Sequence, residues 1–149
     1  MSEIVEAVTA EQIEQVRQLF RQYQAELPSQ YRFELPTLPG EYGPPKGKLL
    51  LALVSGQPFG CVGLRPFPLE GTCEMKRLYV RPVFRSRKLG KELAERVLHE
   101  ARALGYERLR LDTHPPTMQA AVRMYRSLGF QEVSPVDRVE GLLYMELRL

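Results

Sequence analysis

Residues 75–91, MKRLYVRPVFRSRKLGK, join an extended run at Met75–Val80 to a helical pattern at Leu89–Leu104 through the basic turn Arg85-Ser86-Arg87-Lys88-Leu89-Gly90. A strand that enters a helix through a short turn directs free backbone N–H groups and the positive end of the helix dipole at one point, where phosphate groups bind. Between positions 76 and 91 the chain carries seven cations and no Asp or Glu, namely Lys76, Arg77, Arg81, Arg85, Arg87, Lys88 and Lys91. The stretch therefore predicts a site for a pyrophosphate group.

Length and composition favour a single domain over residues 1–149. The chain has 149 residues, of which 44% are hydrophobic, and a chain of this length buries roughly 70% of its unfolded surface. No apolar run approaches the ~20 residues of a membrane span, and the first ten residues do not resemble a signal peptide. We therefore expect a cytoplasmic protein without a membrane partner. The net charge of +3 is too small to require nucleic acid as a partner, and a homodimer is left open.

The cysteines and histidines predict neither a disulfide nor a metal site. Cys61 and Cys73 lie on neighbouring predicted strands, but a tight turn near Leu69 would pair Cys61 with a residue well beyond Cys73. The two histidines, His99 and His114, do not combine with Cys or Asp at the spacing of a zinc site. No Gly-x-Ser-x-Gly motif for a nucleophilic serine is present either.

The first helix is marked at its start and along one face. It follows a short strand at Ile4–Val8, and Thr9 with Gln12 forms a capping box that predicts where the helix begins. Apolar residues then recur at spacings of three and four, which places them on one face. They are Ile13, Val16, Phe20, Tyr23 and Leu27.

An irregular segment follows at residues 28–47. Its five prolines and three glycines interrupt any regular element. It also carries the large apolar side chains of Tyr31, Phe33, Leu35, Leu38 and Tyr42. Because a long loop with such content is expected to pack over another surface, we interpret this segment as a substrate lid.

The rest of the chain predicts an antiparallel meander followed by helices that alternate with strands. Period-two patterns separated by tight turns predict strands at residues 49–54, 58–67 and 72–80. Beyond the basic turn, the patterns predict a helix at 89–104, a strand at 108–113, a helix at 118–128, a short strand at 131–133 and a final strand at 143–149. The order of elements indicates an α/β domain, of the α+β type, built on one sheet.

Three segments together resemble the GNAT superfamily of N-acetyltransferases: Glu74–Pro82, Phe84–Gly90 and Ala121–Phe130. The resemblance implies the single-domain GNAT fold, with a mixed, mostly antiparallel central sheet flanked by helices and a splay between the fourth and fifth strands. It also implies that acetyl-CoA binds in this splay as the acyl donor. No metal is implied.

The turn matches the pyrophosphate-binding pattern of that family, Gln/Arg-x-x-Gly-x-Gly/Ala, at two of its positions. Arg85 and Gly90 fit the first and last positions, whereas Lys88 replaces the middle glycine. Glycine in such a turn either permits positive φ or lets the backbone approach the ligand. Lysine would cost little if this residue had helical φ, and we favour that interpretation because lysine adds a cation beside the phosphate.

The resemblance also implies which residues contact the cofactor. Backbone groups of Leu78, Tyr79 and Val80 would bind the pantetheine arm as an added strand, and one of their N–H groups would polarise the thioester carbonyl. The pyrophosphate would lie on the turn and the helix start, at Arg85, Ser86, Arg87, Lys88, Leu89, Gly90 and Lys91.

Tyr125 corresponds to a family tyrosine that lies close to the CoA sulfur. There a phenol can donate a hydrogen bond or a proton to the departing thiolate, with a pKa of ~10 against ~8.5 for a thiol. The same residue falls on the apolar stripe of its predicted helix, so the alternative is a core aromatic residue.

The residue that removes the proton from the amine is less clearly marked. Glu74 occupies the position of a catalytic glutamate in some family members, four residues before Leu78, and strict alternation would place both on one face. Glu74 could instead pair with Lys76 or another cation. His114 and Glu34 are further candidates for contact with the substrate, as a base and as a partner for its positive charge.

The resemblance, together with these residues, implies an acetyl-CoA-dependent N-acetyltransferase that acts on a primary amine of a small molecule or peptide by direct transfer. A catalytically silent acyl-CoA-binding sensor is the first alternative. The second, an RNA-binding module that uses the seven cations, lacks the exposed aromatic residues expected of such modules.

Overall fold

Seven strands and three α-helices make up the computed structural model, which describes residues 2–85, 87–115, 118–134 and 139–149. Short 3₁₀ turns lie at Ser29–Tyr31, Gly40–Tyr42 and Pro82–Phe84. In chain order the elements are β1 (Ser2–Glu6), α1 (Ala10–Glu26), β2 (Lys48–Val54), β3 (Gln57–Pro66), β4 (Thr72–Val80), α2 (Leu89–Ala103), β5 (Arg108–Thr113), α3 (Gln119–Ser127), β6 (Gln131–Glu132) and β7 (Leu143–Arg148).

The strands form one mixed sheet in the order β1-β2-β3-β4-β5-β7-β6. All neighbours are antiparallel except β4 and β5, which are parallel. The ladder between these two runs only from Thr72↔Arg108 to Glu74↔Arg110, and beyond it the strands separate. The predicted α/β fold, its mostly antiparallel sheet and the splay between the fourth and fifth strands are therefore confirmed.

Helices cover both faces of the sheet, and each face has its own apolar core. Val16, Leu19 and Phe20 of α1 pack against one face, whereas α2 packs Leu93 and Val97 against the other. The residues of α3 that pack there are Ala121, Met124 and Tyr125. The two cysteine thiols are free and buried, Cys61 in the α1 core and Cys73 in the α2 core.

The start of α1 confirms the predicted capping box. The Thr9 hydroxyl accepts a hydrogen bond from the Gln12 backbone N–H at 3.1 Å, and the Gln12 side-chain oxygen accepts one from the Thr9 N–H at 3.0 Å. Each hydrogen bond gives a partner to a backbone N–H group that would otherwise lack one at the start of the helix. Because the cap fixes where α1 begins, it also fixes which residues lie at its other end. Tyr23 and Glu26 lie there, beside the splay.

A β-bulge in β4 changes the orientation of the side chains that follow it. Cys61 pairs with Tyr79 and Gly63 with Lys76, so one residue of β3 faces two residues of β4. One of these, Arg77, has a left-handed φ of +60°. Met75 and Leu78 consequently pack on the same face, which strict alternation forbids. The expectation that Glu74 and Leu78 share a face is therefore wrong.

Candidate active site

The splay opens into a cavity of about 860 Å³, a size typical of small-molecule sites. Its walls come from the end of α1, the second half of β4, the turn into α2, the end of β5 and one face of α3. Among the described residues, six basic and two acidic side chains line it: Lys76, Arg77, Arg85, Lys88, Lys91 and Arg123, with Glu26 and Asp112.

Lys88 has a left-handed backbone, with φ +61° and ψ 16°. The prediction of a helical φ at this position is wrong, since α2 begins one residue later and Lys88 is its N-cap. A side chain at positive φ carries a conformational cost that glycine does not. The turn thus retains the backbone geometry that glycine favours, even though the residue is lysine.

The other residues predicted to hold the pyrophosphate are divided between wall and surface. Lys88, Leu89, Gly90 and Lys91 line the cavity together with Arg85. A Cβ on Gly90 would meet only a methyl group of Val80, at 3.9 Å, so this stretch of backbone is open to the cavity. Arg87 does not line it and instead lies 5.5 Å from the centre of the Phe84 ring. Ser86 lies outside the described residues.

Arg85, which lines the cavity, is held by neighbours from two elements. Its guanidinium donates to the Val80 carbonyl oxygen at 2.8 Å and to Glu26 Oε1 at 2.7 Å. Lys76 is similarly paired with Asp112, at 3.0 Å between Nζ and Oδ2. The basic stretch contains no Asp or Glu in its sequence, but the fold places two carboxylates beside it. They are Glu26 from α1 and Asp112 from β5.

The backbone of β4 at Leu78, Tyr79 and Val80 has no β5 partner among the described residues and lies along the cavity, with the Val80 carbonyl oxygen bonded to Arg85. Within the described strands, β4 pairs with β5 only as far as Glu74, so the groups beyond face the splay. The Tyr79 phenol donates a hydrogen bond to Glu26, and its ring stacks on Tyr23 with centroids 5.4 Å apart. Burial raises the pKa of Tyr23 to about 12, and burial together with Glu26 raises the pKa of Tyr79. Both phenols are protonated donors at neutral pH.

Tyr125 lines the cavity from α3, although its side chain is only 6% exposed. Its ring contacts Phe130, with centroids 5.7 Å apart. Burial raises the pKa of the phenol, and the nearby Tyr23 and Asp112 raise it further. The phenol is therefore a hydrogen-bond donor that releases its proton less readily than a free tyrosine, and the match to a thiol pKa is poorer than the sequence suggested.

The three candidates for proton transfer or substrate contact are not among the described residues that line the cavity. Glu74 Oε1 accepts a hydrogen bond from Arg65 Nε at 3.0 Å, and the same oxygen lies 2.9 Å from Arg65 Nη2 in an ion pair. Its partner is thus Arg65 and not Lys76. The His114 ring contacts the Tyr31 ring, with centroids 4.3 Å apart. Glu34 is exposed in the segment 28–47.

Several wall residues carry no signal that sequence patterns detect. Glu26 lies at the end of α1 and Asp112 near the end of β5, so they meet only through the fold. Arg77 belongs to the basic stretch but reaches the cavity because of the bulge. The apolar spacing of α1 did include Tyr23, as a core residue.

The chemistry of the cavity suits a ligand that carries phosphate groups and an amide-containing chain. An open strand edge can pair with the amides of a pantetheine arm, and the helix start with Lys88 and Lys91 suits phosphate groups. Among the described residues, no group of three or more His, Cys, Asp or Glu side chains could hold a metal ion. In the same ranges, no helix has the length and apolar character needed to span a membrane.

Comparisons with known proteins agree with this geometry. The model of the acetyltransferase (GNAT) family matches residues 13–130. An uncharacterized N-acetyltransferase of Schizosaccharomyces pombe is 42% identical over 112 residues, which cover 73% of this chain and 68% of that protein. A GNAT-family acetyltransferase from Staphylococcus aureus has a TM-score of 0.81 at 18% identity, over 99% of both chains. The Salmonella typhimurium protein yncA, solved with its cofactor acetyl-CoA, has a TM-score of 0.76 at 18% identity, over 99% of this chain and 94% of that one.

Proposed function

The chain belongs to the GNAT acetyltransferase family, and on that premise we propose that it transfers the acetyl group of acetyl-CoA to a primary amine of a small molecule or peptide. The observation that carries the proposal is the splay cavity itself, which joins a basic helix start to an open strand edge and to Tyr125. Bound acetyl-CoA would supply the acetyl group as a thioester.

The basic turn and the edge of β4 divide the work of binding. Lys88, Lys91 and the first N–H groups of α2 hold the phosphates, and Arg85 can join them by exchanging Glu26 for a phosphate oxygen. The edge at Leu78–Val80 holds the pantetheine arm by backbone hydrogen bonds. An N–H group of this edge stabilises negative charge on the carbonyl oxygen while the amine attacks.

Tyr125 assists the departure of the thiolate as a hydrogen-bond donor. Because its pKa is raised by burial, complete transfer of its proton to a thiolate is uphill. A hydrogen bond to the sulfur needs no such transfer and still stabilises the developing charge.

The amine loses its proton toward a carboxylate on the cavity wall. Glu26 and Asp112 line the wall, whereas Glu74 is held by Arg65 outside it. A base must come within hydrogen-bond reach of the proton that it accepts, directly or through one water molecule. We therefore place Glu26 and Asp112 ahead of Glu74 in this role.

A screen of amines tests the activity. Purified protein is supplied with acetyl-CoA and with free amines, amino acids, polyamines or peptides, and both CoA release and the acetylated product are measured. We expect release well above the rate without amine for at least one class. The control is the Tyr125→Phe variant, which keeps the apolar face of α3 and should be slower with the same amine. Binding of acetyl-CoA without transfer to any amine would contradict the proposal and indicate a sensor.

A further inference from the structure

Arg77 occupies an unusual position on the cavity wall. The bulge in β4 places it there with a φ of +60°. Its guanidinium carbon lies 3.6 Å from the centre of the Phe33 ring. Phe33 belongs to the segment 28–47 and is fixed in turn by edge-on contacts with Phe20 and Tyr23 of α1, with centroids 6.2 and 5.8 Å apart. The segment predicted to be a lid thus reaches the cavity through its contact with Arg77.

The guanidinium of Arg77 is not neutralised by the described part of the chain. Its Nε is buried and has no hydrogen-bond partner there. Its two cationic neighbours on the same wall differ from it, since Lys76 is paired with Asp112 at 3.0 Å and Arg85 with Glu26 at 2.7 Å. Arg77 as a whole is only partly buried, but a buried donor atom without a hydrogen-bond partner is costly and calls for an explanation, such as a ligand that pairs with the guanidinium when it binds.

The contact with Phe33 determines how a ligand can approach. An aromatic ring stacks on the flat face of a guanidinium. The N–H groups point outward in the plane of the guanidinium and stay available as hydrogen-bond donors. Those N–H groups match the two oxygens of a carboxylate, which accept a pair of parallel hydrogen bonds. Phe33 therefore orients Arg77 for an anion that enters from the cavity.

We propose that Arg77 binds a carboxylate of the acceptor, so that the amine substrate is an amino acid or another amine that carries a carboxylate. This inference rests on the proposed function and specifies its substrate class. The opposite charge is also provided, because Glu26 and Asp112 line the same cavity and can receive the ammonium group by exchanging their present partners, Arg85 and Lys76. A zwitterion satisfies both sides of the wall, whereas a simple amine or a polyamine leaves the Arg77 charge unmatched.

The position of Arg77 along β4 suits this role. It directly precedes Leu78–Val80, the edge proposed to hold the thioester arm, and both line the cavity. A carboxylate held at Arg77 keeps a short amino acid near the reacting carbonyl group, which raises the effective concentration of its amine. Arg77 is therefore a residue that positions the substrate and selects it.

Matched pairs of amines test the proposal. Amino acids are compared with their decarboxylated amines and with their carboxamides, with CoA release as the readout. We expect kcat/KM to be at least 10-fold higher for the amines that carry a carboxylate. Equal values across the pairs would overturn the inference while leaving the transferase activity established. No CoA release with any amine would contradict the proposed function itself.

Variants of Arg77 separate substrate binding from folding. Arg77→Gln should raise KM for the carboxylate substrates on the order of 10- to 100-fold, with a smaller change in kcat and with CoA affinity retained. Arg77→Lys keeps the charge but loses the paired N–H groups, and should fall between Gln and the parent. Arg102→Gln, an exposed arginine at the end of α2, is the control and should match the parent. If Arg77→Gln is unstable, Arg77→Lys alone decides, and a parental KM in a folded Arg77 variant would refute the role.

Discussion

The left-handed conformation of Lys88 leads to a prediction whose sign depends on the backbone. Lys88→Gly and Lys88→Ala both remove the same cation, so they differ only in what the backbone at this position tolerates. At a φ of +61° glycine is relaxed, whereas alanine has the same steric conflict as lysine. We therefore expect the glycine variant to be the more stable of the two.

The magnitude follows from two opposing contributions. A residue with a Cβ pays roughly 1–2 kcal/mol in the left-handed region, and glycine loses roughly 0.5–1 kcal/mol through its greater freedom in the unfolded chain. The difference favours glycine by roughly 0–1.5 kcal/mol, with a midpoint of about 0.75 kcal/mol. If Lys88 had helical φ, alanine would be favoured by about 1 kcal/mol.

Urea unfolding followed by circular dichroism measures this difference, because the midpoints convert to free energies when the slopes agree. Glu95, an exposed residue within α2, provides the control, since Glu95→Ala should be more stable than Glu95→Gly by about 1 kcal/mol. Opposite orders at the two positions are the expected result. If alanine were the more stable residue at position 88 as well, the left-handed turn would be refuted.

Three further changes have defined outcomes. Tyr125→Phe should lower turnover by about 10-fold, which is below the ~100- to 10,000-fold typical of general acids because a raised pKa leaves only hydrogen bonding. Unchanged turnover where chemistry limits the rate would identify a core aromatic residue. Replacing both Arg85 and Lys88 with glutamate should weaken CoA binding by about 100-fold or more, because electrostatic repulsion replaces two charge-assisted hydrogen bonds. Parental affinity, measured by calorimetry on the folded double variant, would contradict the assignment of the basic turn as the phosphate site. Burial raises the pKa of the Cys73 thiol from 9.0 to about 12, so the unfolded chain ionises first and stability is lost as the pH rises from 9 to 12. In unfolding titrations Cys73→Ala should remove about 1.4 kcal/mol per pH unit of that decline, and an unchanged slope would exclude Cys73 as its source.

The sequence predicted those features that depend on local patterns. The capping box at Thr9, the strand and helix order and the helix at 89–104 agree with the structure to within a few residues. Such features can be predicted because capping residues and apolar spacing determine structure within a few residues along the chain. The splay was predicted by the family resemblance, since nothing in the strand patterns themselves shows where a ladder stops.

What the sequence did not predict depends on contacts between distant segments or on exceptions to regular backbone geometry. The bulge at Arg77 and the left-handed Lys88 both involve residues that rarely adopt positive φ, so no glycine marks either position. The pairing of Arg85 with Glu26 joins residues 59 positions apart. Glu74 was a candidate base because of the family resemblance, and the expectation that it shares a face with Leu78 failed because alternation does not continue through the bulge in β4.

The bulge determines both which side chains enter the cavity and which remain outside it. Met75 packs on the α2 face, and without the extra residue Leu78 would turn to the α1 face and Tyr79 would leave Glu26. With it, Tyr79 stays against α1 while Leu78 and Val80 line the splay beside the start of α2. Arg77, which lies in the bulge, has a buried Nε without a hydrogen-bond partner in the described part of the chain. One insertion in β4 therefore links the strand edge proposed to hold the thioester to the group proposed to hold the acceptor.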